Sequence, residues 1–282
     1  MSDVRTRFID HLREGMERGQ VCLPALPDIA LKVRELLGDP DVQMDRVGRV
    51  IATDPALVSR LISIANSAAY STGGRAVTEL KQALSRLGSE RIKGVVTALV
   101  MQQLFQRRAL ESMQRQLQAL WKHSTAVAAL SAVIARQRTS LSPDEAMLGG
   151  LVHDIGKLHI LVQAELFPEL FSQPAALGDI MSQLHAEVGA GILRLWNFAD
   201  YLVMVASEHD NLDYAGTGAP DFVDVVLVAN LHSVLGTDHA FARRNWGEIS
   251  AFQRLGLTPP DSIAMIKQAR GDIAQIQTLL GA

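Results

Sequence analysis

Apolar residues recur at intervals of three and four along nearly the whole chain, as in Phe8, Leu12 and Met16, in Leu57, Leu61 and Ile64, and in Ile263, Ile266, Ile273, Ile276 and Leu280. That spacing lines one face of an α-helix, so the pattern predicts an all-α fold. The start signals agree. Asp54-Pro55 offers an N-cap followed by proline at the first helical position, and Ser142-Pro143-Asp144-Glu145 has the form of a capping box with proline at that same place. Gly88 followed by Ser89 marks the end of one helix and the start of another. The valine-rich run from Phe222 to Leu231 is the one strand candidate. Its polar interruptions, Asp224 and Asn230, and its length favour a buried helix. Thr217 to Asp221, with Gly218 and Pro220, is expected to be a loop between helices.

Polar residues from Gln106 to Glu111 separate two apolar patterns, which places a subdomain boundary there. Residues 1–106 are expected to form an N-terminal helical subdomain of short capped helices. Residues 107–282 form a second one, which holds seven of the eight histidines and therefore any metal chemistry. A hydrophobic content of 48% over 282 residues is enough for a large core and too high for a disordered chain. The net charge of -3 gives no bulk attraction to nucleic acid or an anionic membrane. Leu80 to Val96, with Arg86, Arg91 and Lys93 around Gly88, has the outline of a helix-turn-helix, but the acidic balance supplies no electrostatic footprint for DNA. The lone cysteine, Cys22, fits a reducing compartment. There is no signal-peptide core at the start and no apolar run of the ~18 residues a membrane span requires, so a cytoplasmic location is expected.

The chemistry concentrates in Leu151-Val152-His153-Asp154-Ile155-Gly156-Lys157, where an imidazole and a carboxylate stand side by side in an apolar segment. An ionised aspartate is placed among such neighbours only when it is paired, hydrogen-bonded or bound to a metal. His123 falls on the apolar stripe of Leu120, Val127 and Leu130. His185 follows Leu184 on the stripe of Val188 and Ile192, and His209 extends the row of Leu202, Val205 and Ala206. Four imidazoles and one carboxylate thus come from separate helices, which is how helical folds assemble metal sites. Lys157, one turn after His153, is a solvated lysine on pattern alone and a phosphate-oxygen partner beside a metal. A second His-Asp dipeptide at His209-Asp210 shows how readily the pair arises without function. His11, His159, His232 and His239 fit no pattern and are assigned to surface or structural positions.

His123, the 151–157 segment, His185 with Gly189 and Ile192, and His209 together resemble the HD superfamily of metal-dependent phosphohydrolases, including the branch that degrades cyclic dinucleotides. The first half is more specific. Leu23-Pro24-Ala25-Leu26-Pro27, Asp54-Pro55-Ala56-Leu57, Ala65-Asn66-Ser67-Ala68 and Leu84-Ser85-Arg86-Leu87-Gly88 resemble the HDOD group, the HD-related output domain of bacterial signalling proteins, with the likeness spanning about residues 23–235. The resemblance implies an N-terminal helical subdomain packed on an HD-type one and a regulatory role. Members of the group commonly lack part of the hydrolase metal set.

Two departures from the hydrolase pattern stand out. Where the hydrolases close the site with an aspartate on the last helix, this chain reads Val228-Ala229-Asn230-Leu231. Where the cyclic-dinucleotide branch has paired histidines and a Gly-Tyr-Pro loop, it has Glu208-His209 and Gly218-Ala219-Pro220. A carboxylate both neutralises a divalent cation and acidifies water held by it, and the amide of Asn230 does neither well. One divalent transition metal on His123, His153, Asp154 and His185 or His209 is the expectation, with nitrogen-rich ligation disfavouring magnesium and a two-metal site less favoured. Without any metal, Asn230 is expected as a buried amide hydrogen-bonded to the old ligand cluster.

Two functions follow. The first is a cytoplasmic signalling module that acts by binding a partner protein or small ligand without catalysis, as a monomer or a homo-oligomer. The second is a metal-dependent phosphohydrolase in which Lys157 steadies the phosphate.

Overall fold

Local signals set most helix starts where the sequence places them. In the computed structural model, which describes residues 2–18, 28–39, 41–67, 76–105, 111–237 and 239–280, Asp54 accepts the Leu57 N–H at 3.1 Å and opens a helix whose first residue is Pro55. Ser142 accepts the Glu145 N–H at 3.3 Å ahead of Pro143, which is one half of the expected capping box. The Leu23-Pro24-Ala25-Leu26-Pro27 motif, Cys22, Ala68 and the boundary segment from Gln106 lie outside the described residues.

Every regular element among the described residues is helical. The α-helices are α1 (Ser2–Glu17), α2 (Asp28–Gly38), α3 (Met44–Ile51), α4 (Pro55–Ala65), α5 (Leu80–Phe105), α6 (Glu111–Arg138), α7 (Pro143–Val152), α8 (Ile155–Ala164), α9 (Pro174–Leu195), α10 (Asp200–Glu208), α11 (Phe222–Ser233), α12 (Ser250–Arg254), α13 (Pro259–Gln268) and α14 (Arg270–Leu280). Gly88 divides α5, as its sequence neighbours predict: its φ of 75° lies in the left-handed region, open to glycine at little cost. The valine-rich segment is the buried helix α11. Its N-cap Asp221 and third residue Asp224 form a reciprocal capping box, and its valines are buried on every side, so packing overrides their preference for strands.

Two apolar clusters hold these helices. The larger joins Phe8 and Leu12 of α1, Ile51, Leu61 and Ile92 to Leu158 of α8 and Leu193 of α9. The smaller lies on the other side of α6, where Val127 and Ile134 meet Val225 and Val228 of α11, Trp246 and Phe252. Helix α6 therefore carries apolar contacts on two faces, and the turn bearing His123 is held between the clusters. No helix among the described residues is long and apolar enough to cross a membrane.

Candidate metal centre

His153 and Asp154 occupy the joint between two helices: His153 is the C-cap of α7 and Asp154 the N-cap of α8. Both are fully buried. The joint packs tightly on α9 because position 156 is glycine. A Cβ there would collide with the His185 carbonyl oxygen and come within 2.7 Å of the Gly189 nitrogen. His123 projects from α6, His185 from α9, and His209 is the C-cap of α10. The four histidines and Asp154 read from the sequence are thus brought to one place.

Asp154 stands at its middle. Its Oδ2 lies 3.3 Å from Nε2 of His123, 3.3 Å from Nε2 of His153 and 2.7 Å from Lys157 Nζ. Its Oδ1 lies 3.3 Å from His209 Nε2 and 3.6 Å from His185 Nε2. Two groups of potential ligands result, His123 with His153 and Asp154, and His185 with His209 and Asp154, sharing one carboxylate.

The outer nitrogens fix how these rings present themselves. Nδ1 of His153 reaches the Gly150 carbonyl at 2.7 Å, Nδ1 of His185 the Met181 carbonyl at 2.7 Å, and Nδ1 of His209 the Ala206 carbonyl at 3.0 Å. His123 Nδ1 meets Ser233 Oγ at 3.3 Å, while that hydroxyl donates to the Asn230 carbonyl. A carbonyl only accepts, so the proton of each of the first three rings sits on Nδ1 and the lone pair on Nε2 faces inward. The inward Nε2 atoms are 3.1 Å apart in the pair His123–His153 and 3.2 Å apart in the pair His185–His209. Facing lone pairs at that distance repel unless a cation, proton or metal, lies between them.

The ionisation pattern follows. Burial lowers His153 to about 4, so its imidazole is neutral at physiological pH. Burial also works against charging His209, but its contact with Asp154 and the charges of Asp210 and Asp154 outweigh it and raise its value. Asp154 is held well below the ordinary carboxylate range against its burial, by His153 and Lys157 first. Its Oδ1 is nevertheless a buried oxygen with no hydrogen-bond partner among the described residues. An orphaned carboxylate oxygen facing two imidazole lone pairs is the donor set of a transition-metal site, and the residues present fit a divalent ion.

Asn230 does not bond the histidines. Its Nδ2 donates to Oδ1 of Asp210 at 2.8 Å, and Oδ2 of Asp210 lies 3.2 Å from His185 Nε2. The second His-Asp dipeptide, read from the sequence as incidental, thus puts a carboxylate beside the centre. The signal was available in its adjacency to His209. Lys157 is in the site too, committed to Asp154 rather than free in solvent. Of the unpatterned histidines, His11 contacts Gln163, His159 is buried, and His232 bonds Ser262. His239 lines the cleft of about 340 Å3 that opens onto His123, Asp154, Lys157, Asp210 and Asn230.

With this geometry, comparison with known proteins is decisive. The profile of the HDOD domain matches residues 23–212. The chain belongs to the HDOD domain family. The matched span ends before Asn230, so the amide exchange lies beyond it. A curated Treponema pallidum protein without an assigned role is 26% identical over 223 residues, which are 74% of this chain and 42% of the relative's own length. A crystal structure from Shewanella amazonensis, provisionally assigned as a metal-dependent phosphohydrolase, matches 99% of this chain and all of its own at 28% identity and a TM-score of 0.79. An HDOD domain protein of unknown function from Geobacter sulfurreducens matches 99% of this chain and 98% of its own at 22% identity and a TM-score of 0.64, which bears on the fold.

Proposed function

We propose that this HDOD domain is a regulatory signalling module that keeps a metal-binding HD centre and acts by binding, without turnover. The observation that carries the reading is Asp154, a buried carboxylate set between two histidine pairs with one oxygen unpartnered. His123, His153 and Asp154 would hold one ion, and His185, His209 and Asp154 a second. A divalent ion supplies charge neutralisation and polarisation of a phosphate oxygen or water.

The residues around the centre favour holding over turnover. Among the described residues Lys157 is the one lysine or arginine lining the cleft, and its ammonium is spent on Asp154 at 2.7 Å rather than aimed at a substrate. Phosphoryl transfer relies on positioned positive charge at the transferring group, and this cleft offers little beyond the ion. Asn230 contributes an amide where a charged ligand would stand, and that amide is already bonded to Asp210.

A second reading, hydrolysis of a phosphate ester, is favoured by Asp210. Its carboxylate, 3.2 Å from His185, returns to the centre a charge that Asn230 lacks. Elemental analysis of protein purified without chelator, paired with turnover assays on p-nitrophenyl phosphate, its bis-ester and cyclic dinucleotides, separates the two. The binding reading expects stoichiometric metal, lost in His153→Ala, and no turnover. Turnover at ordinary enzymatic rates that His153→Ala abolishes establishes the second reading, and metal-free protein that stays metal-free on reconstitution overturns both.

A further inference from the structure

A cleft of about 880 Å3 among the described residues shares no lining residue with the one at the metal centre. It lies where α2 and α5 face the first turns of α7 and α10. The turn between α9 and α10 lends it Trp196 and Phe198, and the first turn of α10 adds Tyr201. Its charge is one-sided: five carboxylates line it against Arg34 and Lys93.

Both cations are already engaged. Lys93 pairs with Glu90 at 2.8 Å. Arg34 donates to the carbonyls of Trp196 at 3.1 Å and Asn197 at 2.9 Å, and its guanidinium carbon lies 3.7 Å from the centre of the Phe198 ring. The Asn197 carbonyl is presented by a residue with a φ of 54°, uncommon outside glycine. Asp144 pairs with Arg91 at 3.2 Å. Glu35, Glu145 and Asp200 have side chains with no ion pair or hydrogen bond among the described residues.

Helix ends account for only part of this charge. Asp144, Glu145 and Asp200 sit in the first turns of α7 and α10, where the helix dipole favours acids. Glu90 likewise opens the second half of α5 just after Gly88, but Glu35 lies near the C-terminal end of α2, where the dipole does not favour it. Burial raises the Glu145 carboxyl, and the charges of Glu90 and Asp144 add to that rise against Lys93. An incoming cation relieves this crowding. Arg34 on Phe198 shows the matching chemistry within the chain, a guanidinium over an aromatic face with its N–H groups on carbonyls. Leu148 and the exposed Leu31 add apolar surface to the lining of the cleft. A guanidinium fills a small part of the volume, so the occupant that suits the whole cleft brings apolar groups with it.

We propose that this cleft docks a basic segment of a partner protein, with an arginine entering among Glu35, Glu145 and Asp200 and flanking apolar side chains covering Leu31 and Leu148. The test titrates the full chain with a labelled nonapeptide in which two arginines alternate with three leucines. Companion peptides carry glutamate for arginine or serine for leucine. Saturable binding is expected, at least tenfold weaker in Glu35→Gln/Glu145→Gln, weaker for the serine peptide, absent for the glutamate peptide, and unchanged in His153→Ala. Unchanged melting of the double variant shows that it folds, and Leu31→Ser gives an independent reduction at the rim. Absence of saturation, equal binding of the glutamate peptide, undiminished binding by the double variant, or spermine binding more tightly than the peptide overturns the proposal. Metal content plays no part in these outcomes, so they stand or fall apart from the reading of the HD centre.

Discussion

Asn230 donates its side-chain amide to Asp210 at 2.8 Å, which ties the neutral residue of the HD centre to the carboxylate beside it. Asn230→Asp would set two carboxylates against each other with Asp154 close by. The variant is expected to melt lower than the parent in chelator and to bind Mn2+ at least tenfold more tightly by calorimetry, because only a cation relieves the repulsion. Asn230→Ala loses a hydrogen bond to a charged acceptor, worth about 2 kcal/mol, and is expected to melt lower without that gain in affinity.

Asp154→Asn tests the shared carboxylate. It removes the charge that the half-buried Lys157 and the buried His209 both face, which leaves His209 with Asp210 alone at 3.7 Å. Breaking a buried pair from one side costs about 3 kcal/mol or more. Elemental analysis is expected to show loss of metal from both histidine pairs together, since both use this residue. Retention of one full equivalent would show that a histidine pair holds an ion by itself.

Gly156→Ala is expected to damage the centre without touching a ligand. The added methyl would meet the His185 carbonyl and the Gly189 backbone, so α9 must shift and carry His185 with it. Stability should fall by about 2 kcal/mol or more, and metal affinity with it. Gly178→Ala in the same helix α9 meets nothing within 4 Å and is expected to be neutral or stabilising by roughly 0.5 kcal/mol. Thermal melts of the two variants, with and without metal, provide the comparison.

Acid should destabilise the protein well before its carboxylates titrate. His159 and His232 are each lowered to about 4 from an ordinary 6.5, mainly by burial, with His11 adding to the shift at His159. The unfolded chain therefore binds more protons than the folded one between those two values. Stability is complete above pH 6.5 and is lost as pH falls toward 4, at up to about 1.4 kcal/mol per pH unit for each group. Denaturant unfolding between pH 7 and pH 4.5 measures the slope. His232→Phe is expected to make it shallower by one group's share, and it leaves Ser262 still donating to the Pro259 carbonyl.

Helix positions and most of the centre were legible in the sequence because each rests on a local rule. Proline after a capping residue fixed the starts of α4 and α7, and apolar spacing placed His185 and His209 on buried faces and His123 on a half-buried one. The valine run was legible as a helix through its polar interruptions and its length, since composition alone favours a strand. Asp210 was missed because no periodicity marks it. It follows the last residue of α10's cap, and its direction depends on how that turn meets α9 and α11. The bond from Asn230 to Asp210 was hidden for the same reason: the two residues are twenty positions apart, and only packing of α10 on α11 brings them together. The aromatic and acidic cleft could not be read either, because its lining comes from four segments far apart in the chain.

Asp154 gives one oxygen to each histidine pair, and a single carboxylate cannot serve two cations independently. An ion on either pair would change both the charge and the orientation of the oxygen offered to the other, so two such occupancies would be thermodynamically linked, each altering the other's affinity by the same factor. With both groups loaded, metal would bind along a coupled curve whose steepness or breadth is set by one aspartate.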